Sequence, residues 1–224
     1  MFRLLRPDRR TLINSAIEAV LIVFSVLVAL AANRWRDQRV SEHRLQITVQ
    51  HIRIELENNQ AILRAVIPYH EEEVRRIGQF LAQPDLTQKI KGRSLYDLRH
   101  QLIPHGYWNP PVTPGVLSDA AWRSAVADDT VTLMPVQLLN QLTAYYSFQN
   151  IAVERPLENL QQKFLIPQYF DPKATVLMLR MAQGWFSTMA DEEKSVLQEA
   201  GTTLKALPPS SKAGTPAKST SRHE

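Results

Sequence analysis

Residues 12–32, LINSAIEAVLIVFSVLVALAA, limit what this chain can fold into more than any other stretch. Rising 1.5 Å per residue as a helix, they span roughly 31 Å, about one hydrocarbon core of a bilayer. The uncharged part is shorter, residues 19–32, with Ser25 as its only polar side chain. A run of that length also suits a buried core helix or the apolar core of a signal peptide. Asn14, Ser15 and Glu18 fall in the first two turns, where an interfacial depth tolerates them. Residues 12–32 are therefore expected to form one transmembrane helix.

The flanks support an anchor. Arg9 and Arg10 precede the run, and Arg34, Trp35 and Arg36 follow it, the residue types that sit at a membrane–water interface. Glu18 at that depth is either a paired functional carboxylate or, the favoured reading, the counter-charge to Arg9 and Arg10. A signal peptide is the alternative, because Ala29, Leu30 and Ala31 offer a small-x-small site for cleavage before Ala32. The long distance from Met1 and the helical pattern running on through Trp35 favour retention. Orientation is nearly balanced, with Arg3, Arg6, Arg9 and Arg10 on one side against Arg34, Arg36, Arg39 and Arg44 on the other. An N-terminus in the cytoplasm is favoured, which puts the remainder outside, in the periplasm of a Gram-negative cell.

The chain divides into a basic flank (residues 1–11), the transmembrane helix (12–32), a juxtamembrane coiled-coil-like helix (33–66), a helical domain (67–207) and a tail expected to be disordered (208–224). The 224 residues leave room for one domain of roughly 160 residues beside the anchor. The net charge of +4 resides largely in the arginines around the anchor and in the tail. No basic face with interleaved aromatics points to nucleic acid. The chain has no cysteine, so there is neither a disulfide framework nor a thiol site.

The fold class is all-α. Leu45, Val49, Ile52, Leu56, Leu63 and Val66 recur at steps of four and three, with Asn59 in the one polar place. Ile47 and Ile54 widen that stripe, which favours packing in a bundle over a two-stranded dimer. Pro68 is expected to kink or end the helix. A second arm, residues 69–82, puts Val74, Ile77, Phe80 and Leu81 on one face and Glu71, Glu72, Glu73, Arg75 and Arg76 on the other. Ser94 with Asp97 predicts a capping box for a short helix to Leu102. Pro104, Pro110, Pro111 and Pro114 exclude regular helix, leaving a loop packed by Tyr107 and Trp108.

Ser118 predicts a cap for a helix with Trp122 facing inward, and Pro135 the start of a longer one burying Leu138, Leu142, Tyr145, Tyr146 and Ile151. That helix should break at Pro156 and resume with Leu160, Phe164 and Leu165. Asp171 and Pro172 should cap a helix to about Met189, with a separate last helix over residues 191–207.

The block EAVLIVFSVLVALAANRWRDQR resembles the start of an uncharacterised family of bacterial single-pass membrane proteins, with Glu18, Asn33, Trp35 and Arg39 in the matching places. The block GVLSDAAWRSAVADDTVTLMPVQLLNQLTAYY is similar to that family's second region. The resemblance implies an anchored helical domain and no known activity. The family often carries a glycine within the membrane run, where this chain has Ser25.

Chemistry is sparse. His51 with Glu55, and His70 with Glu73, are weak candidates for a metal site, since a site needs three or four converging ligands. Ser118 beside Asp119 is explained by capping. No phosphate-binding glycine loop is present, and Trp108, Trp122, Tyr145 and Tyr146 are expected in the core. No catalytic residue, cofactor or metal is assigned. The favoured function is a non-enzymatic, membrane-anchored interaction or scaffold module in the bacterial inner membrane. Its expected contacts are the lipid bilayer and a second copy or an envelope protein. The alternative is a bundle-core metal or small-ligand site serving a sensor or hydrolase.

Overall fold

The computed structural model describes residues 9–102, 116–158 and 166–209, and within them leaves out the side chains of residues 9–17, 19, 20, 100 and 158. Among the described residues every regular element is helical. The chain forms two compact units, Met1–Ile47 and Thr48–Glu224. The helices are α1 (Arg9–Leu81), α2 (Leu86–Ile90), α3 (Leu95–Leu102), α4 (Ala120–Ala127), α5 (Val136–Gln149), α6 (Arg155–Glu158) and α7 (Thr175–Ala206). A π-turn, Asn150–Glu154, joins α5 to α6.

In the first unit, the α1 side chains from Leu21 to Val40 are exposed on every side of the helix. Ser25 donates its hydroxyl to the Leu21 carbonyl at 2.8 Å, so the one polar group in the apolar run satisfies itself. The Arg39 guanidinium lies 5.4 Å over the Trp35 ring. Among the described residues no helix is long and apolar enough to cross a membrane.

In the second unit α1 is a spine whose buried stripe follows the expected seam. Val49, Ile52, Leu56, Asn59, Leu63 and Val66 are all buried. Each apolar side chain among them, fully taken from water, contributes about 1.5–3 kcal/mol. The stripe widens on the other flank from the one expected. Ile47 and Ile54 are exposed, whereas Glu55, Gln60, Ile67 and His70 are buried.

Pro68 does not end the helix. It lies inside α1, exposed, and the helix runs on to Leu81. An exposed position lets solvent take the carbonyl that loses its partner, while Ile67 and His70 on either side remain packed. Further along, Ile77 and Phe80 join Leu95, Leu98 and Leu102 of α3 and Met178, Leu179 and Phe186 of α7 in one apolar cluster. The capping box of α3 is present as read. The Ser94 amide and hydroxyl both donate to Asp97 Oδ2 at 2.7 Å, and the Asp97 amide donates back to Ser94 Oγ at 3.3 Å.

The two helices expected over residues 172–207 are one, α7, entered through a short 3₁₀ turn, Pro172–Ala174. Asp171 caps that turn by accepting the Lys173 amide at 2.9 Å. Asp191 resembles a helix start, but its neighbours in residues 189–194, MADEEK, are good helix formers, with no glycine or proline to interrupt them. Close approach between α1 and α7 is set by Gly78, where a Cβ would come within 2.8 Å of Gln183 Nε2. The same Gln183 nitrogen donates to the Val74 carbonyl at 3.3 Å. The C-terminal end of α7 is held by Arg53, whose Nη2 donates to the carbonyls of Leu207 at 3.1 Å and Pro208 at 2.7 Å. The expectations for Tyr107, Trp108, Leu160, Phe164, Leu165 and residues 210–224 lie outside the described residues.

Candidate functional site

Two buried polar networks lie in the second unit. The first forms because α1 places Glu55 and Asn59 one turn apart on a face that is otherwise apolar. Glu55 accepts three hydrogen bonds: the Ser118 hydroxyl at 2.7 Å, the Ala121 amide at 2.8 Å and the Tyr146 hydroxyl at 2.7 Å. Asn59 pairs with the Ser118 backbone, accepting its N–H at 2.8 Å and donating to its carbonyl at 2.7 Å. Asn59 also donates to Gln149 Oε1 at 3.1 Å, and Gln149 in turn donates to Glu154 at 2.7 Å. Burial pushes the Tyr146 hydroxyl far above the usual tyrosine range, and its bond to Glu55 adds to that. Trp122 stacks on Tyr146 at 5.3 Å with the rings almost parallel.

This network is a structural junction of α1, α4 and α5. Among the described residues Ser118 meets no histidine. Its hydroxyl is committed to Glu55 and accepts the Ala120 amide at 3.3 Å, partly the capping role read from the sequence. Asn59, the polar place in the seam, is used inside the bundle.

The second network joins α1 to α7. His70 Nδ1 lies 2.8 Å from Glu193 Oε2, and each side chain is only 1% exposed. Tyr69, Trp185 and Phe186 surround the imidazole, with ring centroids 5.5–6.0 Å away. Three residues along α1, Glu73 is buried too, although the sequence pattern puts it on the charged face. Its Oε1 meets Arg76 Nη1 at 3.4 Å, while its Oε2 has no hydrogen-bond partner among the described residues. Burial drives the Glu73 carboxyl up to about 7, against the opposing pull of Arg76 and with a further push from Glu72. On the rim, Lys194 bridges Glu71 at 2.8 Å and Asp191 at 3.5 Å, and the bond to Glu71 holds its ammonium above the usual lysine range.

The four weak metal-ligand candidates do not converge. His51 is exposed, Glu55 is spent on the first network, and His70 and Glu73 belong to the second. Among the described residues no group of three or more histidine, aspartate or glutamate side chains could hold a metal ion. Glu193 escaped the sequence reading because its neighbours Asp191, Glu192 and Lys194 look like a solvated stretch. The helical phase from Met189 through Val196 to Ala200 was the signal that would have placed it inward. Tyr145 and Tyr146 are buried and Trp122 half-buried, in the core as expected. Ile151, expected inward, is 61% exposed. The π-turn adds a residue to the turn and shifts the phase, so Ala152 and Val153 are buried instead.

Between α5 with its π-turn and α7 lies an open groove of about 460 Å³, walled by Phe148, Ile151, Met181 and Trp185 among others. Comparison with known protein families, curated proteins and solved structures finds no match for this chain.

Proposed function

We propose that the chain is a single-pass protein of the bacterial inner membrane, anchored by residues 12–32, with its helical unit outside the cytoplasm as a non-enzymatic interaction or scaffold module. The observation that carries this reading is the exposure of eight large apolar side chains within ten residues of α1. Leu21, Ile22, Val23, Phe24, Val26, Leu27, Val28 and Leu30 are each 51–63% exposed. Four of them are consecutive, so they point to all sides of the helix. A neighbouring helix would cover one face, whereas a bilayer covers the whole circumference. At about 1.5–3 kcal/mol for each large apolar side chain fully withdrawn from water, eight of them make an aqueous existence costly.

The exposed apolar run, residues 21–32, accounts for about 18 Å, and residues 12–20, helical in the same α1, supply the rest of the span. Arg34, Trp35 and Arg36 are exposed just beyond it, where headgroups would meet them. The resemblance to an anchored single-pass family agrees with this reading. The Glu55 junction supports a structural rather than a catalytic use of that part of the second unit, because its polar atoms are turned on one another.

The test is a paired reporter fusion after Glu224, one reporter active only in the cytoplasm and one only outside it, read with the mass of the purified chain. External activity with residues 1–31 retained supports the proposal. A mass beginning at Ala32, or activity inside the cell, would overturn the anchor or its orientation respectively.

A further inference from the structure

The groove beside α7 is built by an irregularity. A π-turn interrupts the α5–α6 connection and turns Ile151 out of the core, where it is 61% exposed. Such turns are often found at functional positions. Ile151 and Phe148 form one wall, and Met181 and Trp185 of α7 form the other. Gly184 lies between them, with no atom of the described residues within 4 Å of where a Cβ would stand. From Met181 to Glu192 the groove follows α7 for about 16 Å, three helical turns.

Its lining is mostly apolar. The Thr188 hydroxyl is used within α7, donating to the Gly184 carbonyl at 3.0 Å. Glu192 is the one charged residue in the lining, half-buried, and it makes no hydrogen bond or ion pair among the described residues. An extended peptide laid here would leave its backbone N–H and C=O groups without partners, whereas a helix satisfies its own. The single carboxylate selects a cation.

We propose that this groove receives an amphipathic helix of a partner protein, presenting two apolar side chains one turn apart and a lysine or arginine that reaches Glu192. The inference rests on reading the unit as an interaction module and names the class of partner. Helix-in-groove recognition uses this arrangement of apolar anchors, and a methionine-lined wall adapts to several of them.

The test is selection from a displayed library of random 16-residue peptides against the full chain in lipid nanodiscs, with empty nanodiscs for subtraction. Selected peptides are then labelled and titrated by fluorescence anisotropy. The expected result is peptides with an apolar pair at i and i+4 and a basic residue. Gly184→Leu, which fills the groove from an open position, should weaken them at least tenfold. Glu192→Lys, a surface change that leaves the apolar walls in place, should do the same and should shift a repeat selection towards acidic peptides. Peptides that bind both variants as well as the parent chain would overturn the inference, as would a failure to enrich any. Two other occupants would also contradict it: dodecyltrimethylammonium binding with the same dependence on both variants while peptides do not, or a dimer of the chain that Gly184→Leu dissociates. If the chain proves not to be anchored, the selection is run in buffer, so the groove and the anchor fail separately.

Discussion

His70 Nδ1 and Glu193 Oε2 stand 2.8 Å apart although 123 residues separate them in the chain, and both side chains are 1% exposed. That bond ties α1 to α7 inside a wall of aromatic rings. Removing Glu193 takes a hydrogen-bond partner from the buried imidazole, and removing His70 takes one from the buried carboxylate. Glu193→Ala or His70→Ala should therefore destabilise the second unit by about 3–5 kcal/mol. Replacing both with apolar side chains should recover most of that loss. Equilibrium unfolding followed by tryptophan fluorescence measures both, and a small, additive loss in each single variant would show that the pair is not coupled.

The junction at Glu55 gives a graded series. Tyr146→Phe deletes one of three donors and should cost about 1–2 kcal/mol. Glu55→Ala orphans the Ser118 hydroxyl, the Ala121 amide and the Tyr146 hydroxyl together and should cost more than 3 kcal/mol. Tyr146→Phe should also lower the cost of Glu55→Ala, since the two changes remove the same bond. Equal costs of Glu55→Ala in the two backgrounds would contradict the network.

Glu73 makes stability depend on pH. Its carboxyl titrates near 7 in the folded chain against 4.5 ordinarily, so between those values the folded state holds a proton that the unfolded state has released. The stabilisation from the neutral carboxyl is complete below about pH 4.5 and is lost as pH rises through about 7. Relative to Glu73→Gln, which does not titrate, the parent chain should lose up to about 3 kcal/mol across that window. Parallel stability curves for the two chains between pH 4.5 and 8 would contradict the burial of Glu73.

Pro68 breaks the hydrogen-bond ladder in the middle of α1 while exposed to solvent. Pro68→Ala restores the missing donor and should raise stability by about 1–3 kcal/mol, seen as a higher unfolding midpoint. An unchanged or lower midpoint would contradict this and show that Pro68 helps Ile67 and His70 to pack.

Much of this fold could be read from the residues, and the reasons differ from place to place. The seam from Val49 to Val66 was legible because apolar periodicity is the direct trace of a buried helix face. The Ser94–Asp97 box was legible because capping is local. Proline was overweighted at position 68, where exposure and flanking packing outweighed one missing donor. Asp191 resembles a helix start because an acidic residue favours that place, yet nothing interrupts the helix before it. The buried networks were the least legible part. Glu73 and Glu193 lie in stretches of charge, and only packing between elements more than a hundred residues apart turns them inward. Ile151 followed the correct period but was displaced by a π-turn, which has no clear mark in the sequence.

The central claim is that residues 12–32 cross a bilayer, and alkaline carbonate extraction of membranes from cells making the full chain tests it most directly. The account predicts that the chain stays in the membrane pellet, and that a variant carrying Val23→Arg and Leu27→Arg moves into the soluble fraction. An intact parent chain released by carbonate would contradict it.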